Sequence, residues 1–435
     1  MEIRDPIHGP IGLTEVEVAV FAQPLFQRLR NIKQLGFAEL LFPGACHNRL
    51  LHSVGVMHLA GQAFDAALGD AEWLSTDERQ RLRQTLRLAG MLHDVGHAPL
   101  SHSSEVLFPA RSALGLQGVD IGNPARQARH EHYTVKLLLD SALGAAVDHA
   151  GAPLGVRARH VAALLHDGVQ LDDAPFSVAG RDLRPLLATL CSGELDVDRM
   201  DYLQRDSYFS GVSYGKFDAS WLIGHLGRHE DEQGRVWLAL QDRALYTFDD
   251  FLLSRMHMFL MVYFHPKVVC YDHMLRRYYE DEPDLTVPTD PETFVQFDDG
   301  ALWAKLRAAA PRSRWAASIV QHRPLPLIAE RGWHGRDDDL DQLEARLTAH
   351  DIDHFRVTSH GALSKYRDRG AGDRAIYVQI QPRVGAGRTL PLGEATALFQ
   401  RYADTTRMER TYVAEHDMDR AAAWVLELRG AEESR

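Results

Sequence analysis

Cysteine is scarce in this 435-residue chain: Cys46, Cys191 and Cys270 lie far apart and form no Cys-x-x-Cys pair. That excludes a disulfide framework and fits reduced, buried thiols in the cytoplasm. Long apolar runs are also missing. The most apolar stretch, 256–264, is too short to span a bilayer and is interrupted by His257. The opening Met1-Glu2-Ile3-Arg4-Asp5 is not a signal peptide, so a cytoplasmic protein with no membrane partner is expected. Positive charge is in deficit, 48 Lys and Arg against 60 Asp and Glu, for a net charge of −12. This argues against non-specific binding to nucleic acid, while leaving room for a local basic pocket. Internal repeats and low-complexity tracts are absent. A hydrophobic content of 45% and a charged content of 25% are those of an ordinary folded protein, long enough for a large core.

Histidine, by contrast, is plentiful, with 23 residues and several in the first third. The chain is organised around Leu92-His93-Asp94-Val95-Gly96-His97-Ala98-Pro99-Leu100-Ser101-His102-Ser103-Ser104-Glu105. Ser75 and Glu78 have the spacing of a capping box, and Leu82, Leu86, Ala89 and Leu92 recur at helical intervals. A helix therefore leads into the stretch, and Gly96 and Pro99 break it. An adjacent imidazole and carboxylate are costly to bury without a partner. A divalent cation, which both ligate, is the economical one. Two neighbouring ligands do not close a metal shell, so others must come from elsewhere.

A helix predicted from Arg49 places His52 among apolar residues such as Val54 and Met57. A lone histidine there is more often hydrogen-bonded core than ligand, and the His93-Asp94 stretch tips the balance. Asp198, Asp201 and Tyr202 share one helix face, which Asp206 continues; acids on one stripe repel unless cations or a metal sit opposite. His52, His93, Asp94 and Asp198 then offer two imidazoles and two carboxylates from three helices, with room for water or a phosphate oxygen. His97, His102, Glu105, His130 and Glu131 are surplus acid–base groups.

Around this centre a helix is expected from about Thr14. Residues 24–36 read as an amphipathic helix with a solvated basic face, or as a polyphosphate cradle. His166-Asp167 repeats the dipeptide without its surroundings and reads as a helix terminus. A hairpin is predicted before Val236-Trp237-Leu238-Ala239-Leu240. The long helix after it carries Arg255 among aromatic residues, where a guanidinium needs an anion. A linker over 281–300 separates a metal and nucleotide domain, 1–282, from a C-terminal portion, 283–435. Helices near 302–310 and 340–347, strands at 354–357 and 375–380 and a last helix over 393–402 predict a smaller α+β lobe there. The expected fold is mainly α.

The pattern His52…His93-Asp94…Asp198 resembles the metal-binding pattern of the HD-domain phosphohydrolase superfamily. The text around it is sharper. Asp5-Pro6-Ile7-His8-Gly9, Phe26-Gln27-Arg28-Leu29-Arg30 with Lys33-Gln34-Leu35-Gly36, Phe42-Pro43-Gly44-Ala45 and His47-Asn48-Arg49 come first. His93-Asp94-x-Gly96-His97-x-Pro99-x-Ser101-His102 and Asp196-Val197-Asp198-x-x-Asp201-Tyr202-x-x-Arg205-Asp206 follow. Together they resemble the HD-domain deoxynucleoside triphosphate triphosphohydrolases, in the branch containing the mammalian SAM- and HD-domain enzyme and bacterial homologues.

The resemblance implies hydrolysis of a dNTP to deoxynucleoside and inorganic triphosphate, by attack of metal-activated water at the α-phosphorus. It gives proton transfer to His130, His102, Glu105 and His97, and the triphosphate to Arg49, Arg199 and Arg255. Gln34 and Leu35 would crowd the 3′ side of the sugar and disfavour a 2′-OH, with Tyr202, Asp206 and Tyr263 lining the rest of the sugar pocket. Asp5, Gln27 and Arg30 match positions that bind an activating nucleotide between subunits, and a homo-oligomer, dimer or tetramer, is expected. The ligand set suits Mn, Fe, Ni, Co or Zn, with Mg joining through the phosphates. Two other functions stay open. One is a phosphodiesterase or nucleotidase acting on another phosphoester, although the Gly-Tyr-Pro signature of the cyclic-di-GMP branch is absent. The other is a non-catalytic nucleotide-sensing module, although no ligand or acid–base histidine is missing.

Overall fold

Capping residues set the helices that build the site. Ser75 and Glu78 form a reciprocal cap on Thr76–Leu92, as their spacing predicts, and Thr14 and Glu17 form one on Glu15–Phe21, where a helix was expected to begin. Asn48 starts Arg49–Leu68 by accepting from the Leu51 N–H, and Asp196 starts Val197–Ser210 by accepting from the Arg199 N–H. The computed structural model describes residues 1–282, 285–333, 336–361, 374–382, 384–396, 398 and 406–433.

The fold is mainly α with small sheets. Leu82, Leu86, Ala89 and Leu92, expected on one face, are all fully buried. Thr76–Leu92 and Val197–Ser210 both pack on Arg49–Leu68. Glycine permits the closest of these approaches: a Cβ on Gly55 would stand 2.0 Å from Asp201 Oδ1. Gly96 plays the same part for the His130–Leu139 helix, since a Cβ there would stand 2.3 Å from the His130 carbonyl oxygen.

Leu226–Glu230 and Val236–Gln241 form the expected hairpin, with Leu226 opposite Leu240. Ile376–Ile380 joins it in parallel, and Arg388–Pro391 closes that sheet antiparallel. A second, antiparallel sheet runs Arg336–Asp337, Leu327–Trp333, Thr406–Val413, His354–Gly361. Leu340–Ala349 and Met418–Glu433 cover it around Leu343, Leu347 and Trp424. The strand expected at 375–380 is thus in the sheet of the 226–241 hairpin and not in this one, and Thr406–Val413 and Met418–Glu433 carried no clear sequence signal. Among the described residues no helix is long and apolar enough to cross a membrane.

Three expectations need correction. Residues 24–36 are not one amphipathic helix with a solvated basic face. The helix stops at Gln27, Arg28–Asn31 is a 3-10 turn, and Arg28 is buried, donating to the carbonyls of Phe297 (2.9 Å) and His97 (2.8 Å). The segment around 281–300 is more than a linker, since Val287, Phe294 and Phe297 enter the main core. Cys46 is exposed, whereas Cys191 and Cys270 are buried as expected. Of the last predicted helix, Leu392–Ala395 is helical, and most of 397–402 lies outside the described residues.

Candidate metal centre and its cleft

His52, from the first turn of its helix, His93 and Asp94, just past the end of theirs, and Asp198, in the first turn of a third, converge. His52 Nε2 is 3.0 Å from Asp198 Oδ1 and 3.6 Å from Asp94 Oδ2. His93 Nε2 is 3.2 Å from Asp94 Oδ1 and 3.6 Å from Asp198 Oδ1. Each imidazole spends its other nitrogen on an acceptor behind it. His52 Nδ1–H donates to Asp201 Oδ2 at 2.8 Å, and His93 Nδ1–H to the Gly90 carbonyl at 2.8 Å. That fixes the tautomer with Nε2 pointing inward, the usual support of a metal-binding histidine. His93 Nε2 is buried with no hydrogen-bond partner. An inward lone pair left without a donor is what an ion would satisfy, and the donor set fits a divalent cation.

Electrostatics agree. Burial pushes the His52 imidazole down, but hydrogen bonds and charge from Asp198 and Asp201 outweigh it and lift the group to about 10. For Asp198, burial would raise the carboxyl, and His52 and His93 instead hold it far below the usual range. Burial likewise opposes, and the Arg49, His93 and His97 charges reverse, the titration of Asp94, which ends well below its ordinary value. The cluster calls for positive charge.

A buried network holds it from behind. Asp201 takes both Nε (2.7 Å) and Nη2 (2.9 Å) of Arg205 and Nε2 of His8 (2.6 Å), and Arg205 Nη1 reaches Asp5 Oδ2 at 2.8 Å. Asp5 Oδ1 accepts the Ile7 and His8 N–H groups. Asp5 is thus 3% exposed and fully engaged, while Gln27 and Arg30 bond to each other (2.6 Å) nearer the surface. Arg205→Ala would strand two buried carboxylates and is expected to lower stability by about 3–5 kcal/mol. Denaturant unfolding measures it; a loss below about 1 kcal/mol, the level of an exposed pair, would show that water reaches the network.

Beside the metal cluster lies a second one. His130 Nδ1 is 2.7 Å and His102 Nδ1 3.0 Å from the same oxygen, Glu105 Oε1. The His97 ring stacks on His130 at 3.9 Å, and His97 Nε2 is 3.2 Å from Asp94 Oδ1, which links the two clusters. Burial, then the charges of Arg49 and His130, holds the His97 imidazole well below its usual value, so it stays neutral.

Both clusters open on a cavity of about 720 Å³ that Gln34, Leu35, Arg49, Arg199, Tyr202, Asp206, Arg255 and Tyr263 also line. Arg49 binds Asp94 and donates from Nε to Ser101 Oγ (2.7 Å). Arg199 and Arg255 both reach Glu194, at 3.3 and 3.4 Å. Tyr263 O–H donates to Asp206 Oδ2 at 2.7 Å, and His47 Nε2 holds the other oxygen at 2.8 Å. Gln34 is 9% exposed, and its Oε1 is buried without a hydrogen-bond partner. Asp5, Gln27 and Arg30 do not line this cavity. Sequence reasoning gave no role to Asp201, His8, Arg205, Glu194 or His47. Asp201 stands in the acidic stripe, Arg205 in the Asp196–Asp206 motif, His47 in His47–Arg49 and His8 in the Asp5–Gly9 motif, whereas Glu194 had no signal of its own.

Residues 217–328 match the family described as HD associated region. An uncharacterized Bacillus subtilis protein, YwfO, is 30% identical over 265 residues, 60% of this chain and 51% of that protein. The deoxynucleoside triphosphate triphosphohydrolase SAMHD1 is 32% identical in Danio rerio, over 58% of this chain and 40% of that protein. In Homo sapiens it is 31% identical, over 51% of this chain and 35% of that protein. In sequence the chain is thus similar to HD-domain proteins, among them these triphosphohydrolases. It spans about half the length of the relatives it matches, or less. Two solved structures share the fold along almost the whole chain. A hypothetical protein from Aquifex aeolicus superposes with a TM-score of 0.72 at 23% identity, covering 97% of this chain and 99% of that one. A Bacteroides thetaiotaomicron phosphohydrolase does so with a TM-score of 0.66 at 20% identity, covering 95% and 100%.

Proposed function

We propose that this chain hydrolyses deoxynucleoside triphosphates to deoxynucleoside and inorganic triphosphate. The observation that carries the proposal is the juxtaposition, in one cavity, of a buried two-histidine, two-carboxylate cluster with three arginines and a tyrosine–aspartate wall. His52, His93, Asp94 and Asp198 would hold a divalent cation of the Mn, Fe, Ni, Co or Zn type, which would supply water activation and charge neutralisation at the phosphoryl group.

The chain's own side chains do the rest. Arg49, Arg199 and Arg255 present guanidinium forks to the phosphate oxygens. For Arg199 and Arg255 this exchanges Glu194 for substrate, so Glu194 keeps them oriented before binding. Asp206, fixed from both sides by His47 and Tyr263, accepts a sugar hydroxyl. Tyr202 packs beside them, its ring 6.3 Å from Tyr263. The unpartnered Gln34 Oε1 is an acceptor for the 3′-OH, and Leu35 narrows that side against a ribose. His130 and His102, oriented by Glu105, hand a proton to the departing deoxynucleoside oxygen, and neutral His97 spaces them from Asp94. An activating nucleotide at Gln27 and Arg30, and a dimer or tetramer around it, belong to the same proposal. Asp5 is part of it as well and, with both oxygens engaged, also supports His52 through Arg205 and Asp201.

Product identification tests this. Metal-loaded protein given dGTP, GTP, dGMP and a cyclic dinucleotide should release inorganic triphosphate from dGTP alone. Release only of orthophosphate or pyrophosphate would reject the assignment in favour of another phosphoesterase, and no turnover of any of them would favour a nucleotide sensor.

A further inference from the structure

Asp299 comes from the segment after residue 282, yet its carboxylate reaches the backbone of two loops that lead into the cleft. The neighbouring Asp298 caps the Asp299–Ala309 helix by accepting from the Ala301 N–H, so the helix start does not need Asp299. Asp299 instead turns inward and is 6% exposed. Its Oδ1 accepts the Leu100 N–H at 2.7 Å, and its Oδ2 accepts the Lys33 N–H at 2.8 Å. Favourable charge at a helix N-terminus would account for an acid at this position. It does not account for one that engages main-chain donors on two other segments.

Those two donors precede the residues that shape the cavity. Lys33 leads into Gln34 and Leu35, and Leu100 leads into Ser101. Ser101 Oγ donates to the Lys33 carbonyl at 2.6 Å and accepts from Arg49 Nε at 2.7 Å. Leu100 and Ser101 both adopt left-handed backbone, with φ of 54° and 59°. Two consecutive non-glycine residues in that region persist only where their surroundings over-determine them. Arg28 adds a second tie between the same segments, since its guanidinium donates to both the Phe297 and the His97 carbonyls.

We propose that Asp299 is a positioning residue: it clamps the 33–35 and 100–101 loops at a fixed separation and thereby sets how tightly the cleft excludes a ribose. The selectivity part rests on the reading of the cleft as a dNTP site; the clamp itself does not. An amide at this position keeps one acceptor and turns a donor toward the other N–H, so at least one of the two bonds is lost.

The test is Asp299→Asn in the full chain, with Asp298→Asn as the neighbouring control. Hydrogen exchange of peptides containing Lys33 and Leu100 should accelerate in at least one loop for Asp299→Asn and in neither for Asp298→Asn. The kcat/KM ratio of dGTP to GTP should fall by about tenfold or more, with KM for dGTP rising and metal content unchanged; small misplacements at a reacting site reach losses of about a hundredfold. Should Asp299→Asn not fold, Asp299→Glu, which keeps the charge and moves it by one methylene, gives the same readouts at smaller amplitude. Unchanged exchange in both loops overturns the clamp. Faster exchange with an unchanged dGTP to GTP ratio overturns the positioning role. If the wild-type protein releases no triphosphate, the dNTP reading falls, and hydrogen exchange still decides the clamp.

Discussion

An Asp198→Ala protein is expected to keep its fold, lose its divalent ion and lose turnover together with it. Asp198 is the least buried member of the cluster, its side chain 33% exposed against 1% for His52 and 4% for Asp94, so its removal leaves the core packing alone. Yet its Oδ1 stands within 3.6 Å of both inward Nε2 atoms. Partners one layer out from a metal typically account for 10–100-fold in affinity, so the loss for a direct ligand should exceed about a hundredfold. Asp201→Asn, which weakens the support of His52 without removing a ligand, should fall within that range. The pH dependence has a definite sign. The His52 imidazole, raised to about 10 by Asp198 and Asp201 against the pull of burial, must give up its Nε2 proton before an ion binds there. Metal retention in the wild-type protein therefore strengthens as pH rises toward that value. Elemental analysis alongside turnover checks both points. One ion per chain and undiminished activity in Asp198→Ala would break the proposed ligand set.

The same residues show what a sequence discloses and what it withholds. Ser75 and Glu78, Thr14 and Glu17, and the Asp198–Asp201 stripe are local signals, written within four residues, and the structure realises each of them. The meeting of His52 with His93 and Asp94 is not local; it was legible only because the motif types and order matched a known pattern. Arg28 marks the limit. Its charge suggested a solvated face, but the acceptor that draws it inward, the Phe297 carbonyl, lies 269 positions away and leaves no trace near Arg28. Asp299 is hidden for the same reason: its ligands are backbone N–H groups, which every residue but proline carries. Asp5 has a part that its own motif does not announce. The motif points to an effector contact, and the pairing of Asp5 with Arg205 beside Asp201 adds it to the support for His52.

Replacing His130 and His102 should slow the chemical step while leaving the ion in place, the reverse of the Asp198 result. Both imidazoles direct Nδ1 to Glu105, so their Nε2 atoms are free for the cavity that both residues line. Burial alone would raise the Glu105 carboxyl, but the hydrogen bonds and charge of His102 and His130 hold it far below the ordinary range. It therefore stays a carboxylate through the working pH range, serving as the anion that orients the two rings, and protons move on the imidazoles. The neutral form of His97 is the favoured one, and its ring lies between His130 and Asp94. Each single alanine variant is expected to lower kcat by about 10²–10⁴, the usual contribution of a positioned acid or base. The double variant should fall little further than the more damaging single one, since the two share one carboxylate and act as a unit. Glu105→Gln keeps the shape and removes the charge, so its loss should be smaller and should come with a displaced pH profile. Single-turnover rates with metal content measured on the same samples separate this from a structural effect. A His102→Ala, His130→Ala double variant that turns over within about threefold of wild type, far short of that range, would place the acid elsewhere in the cavity.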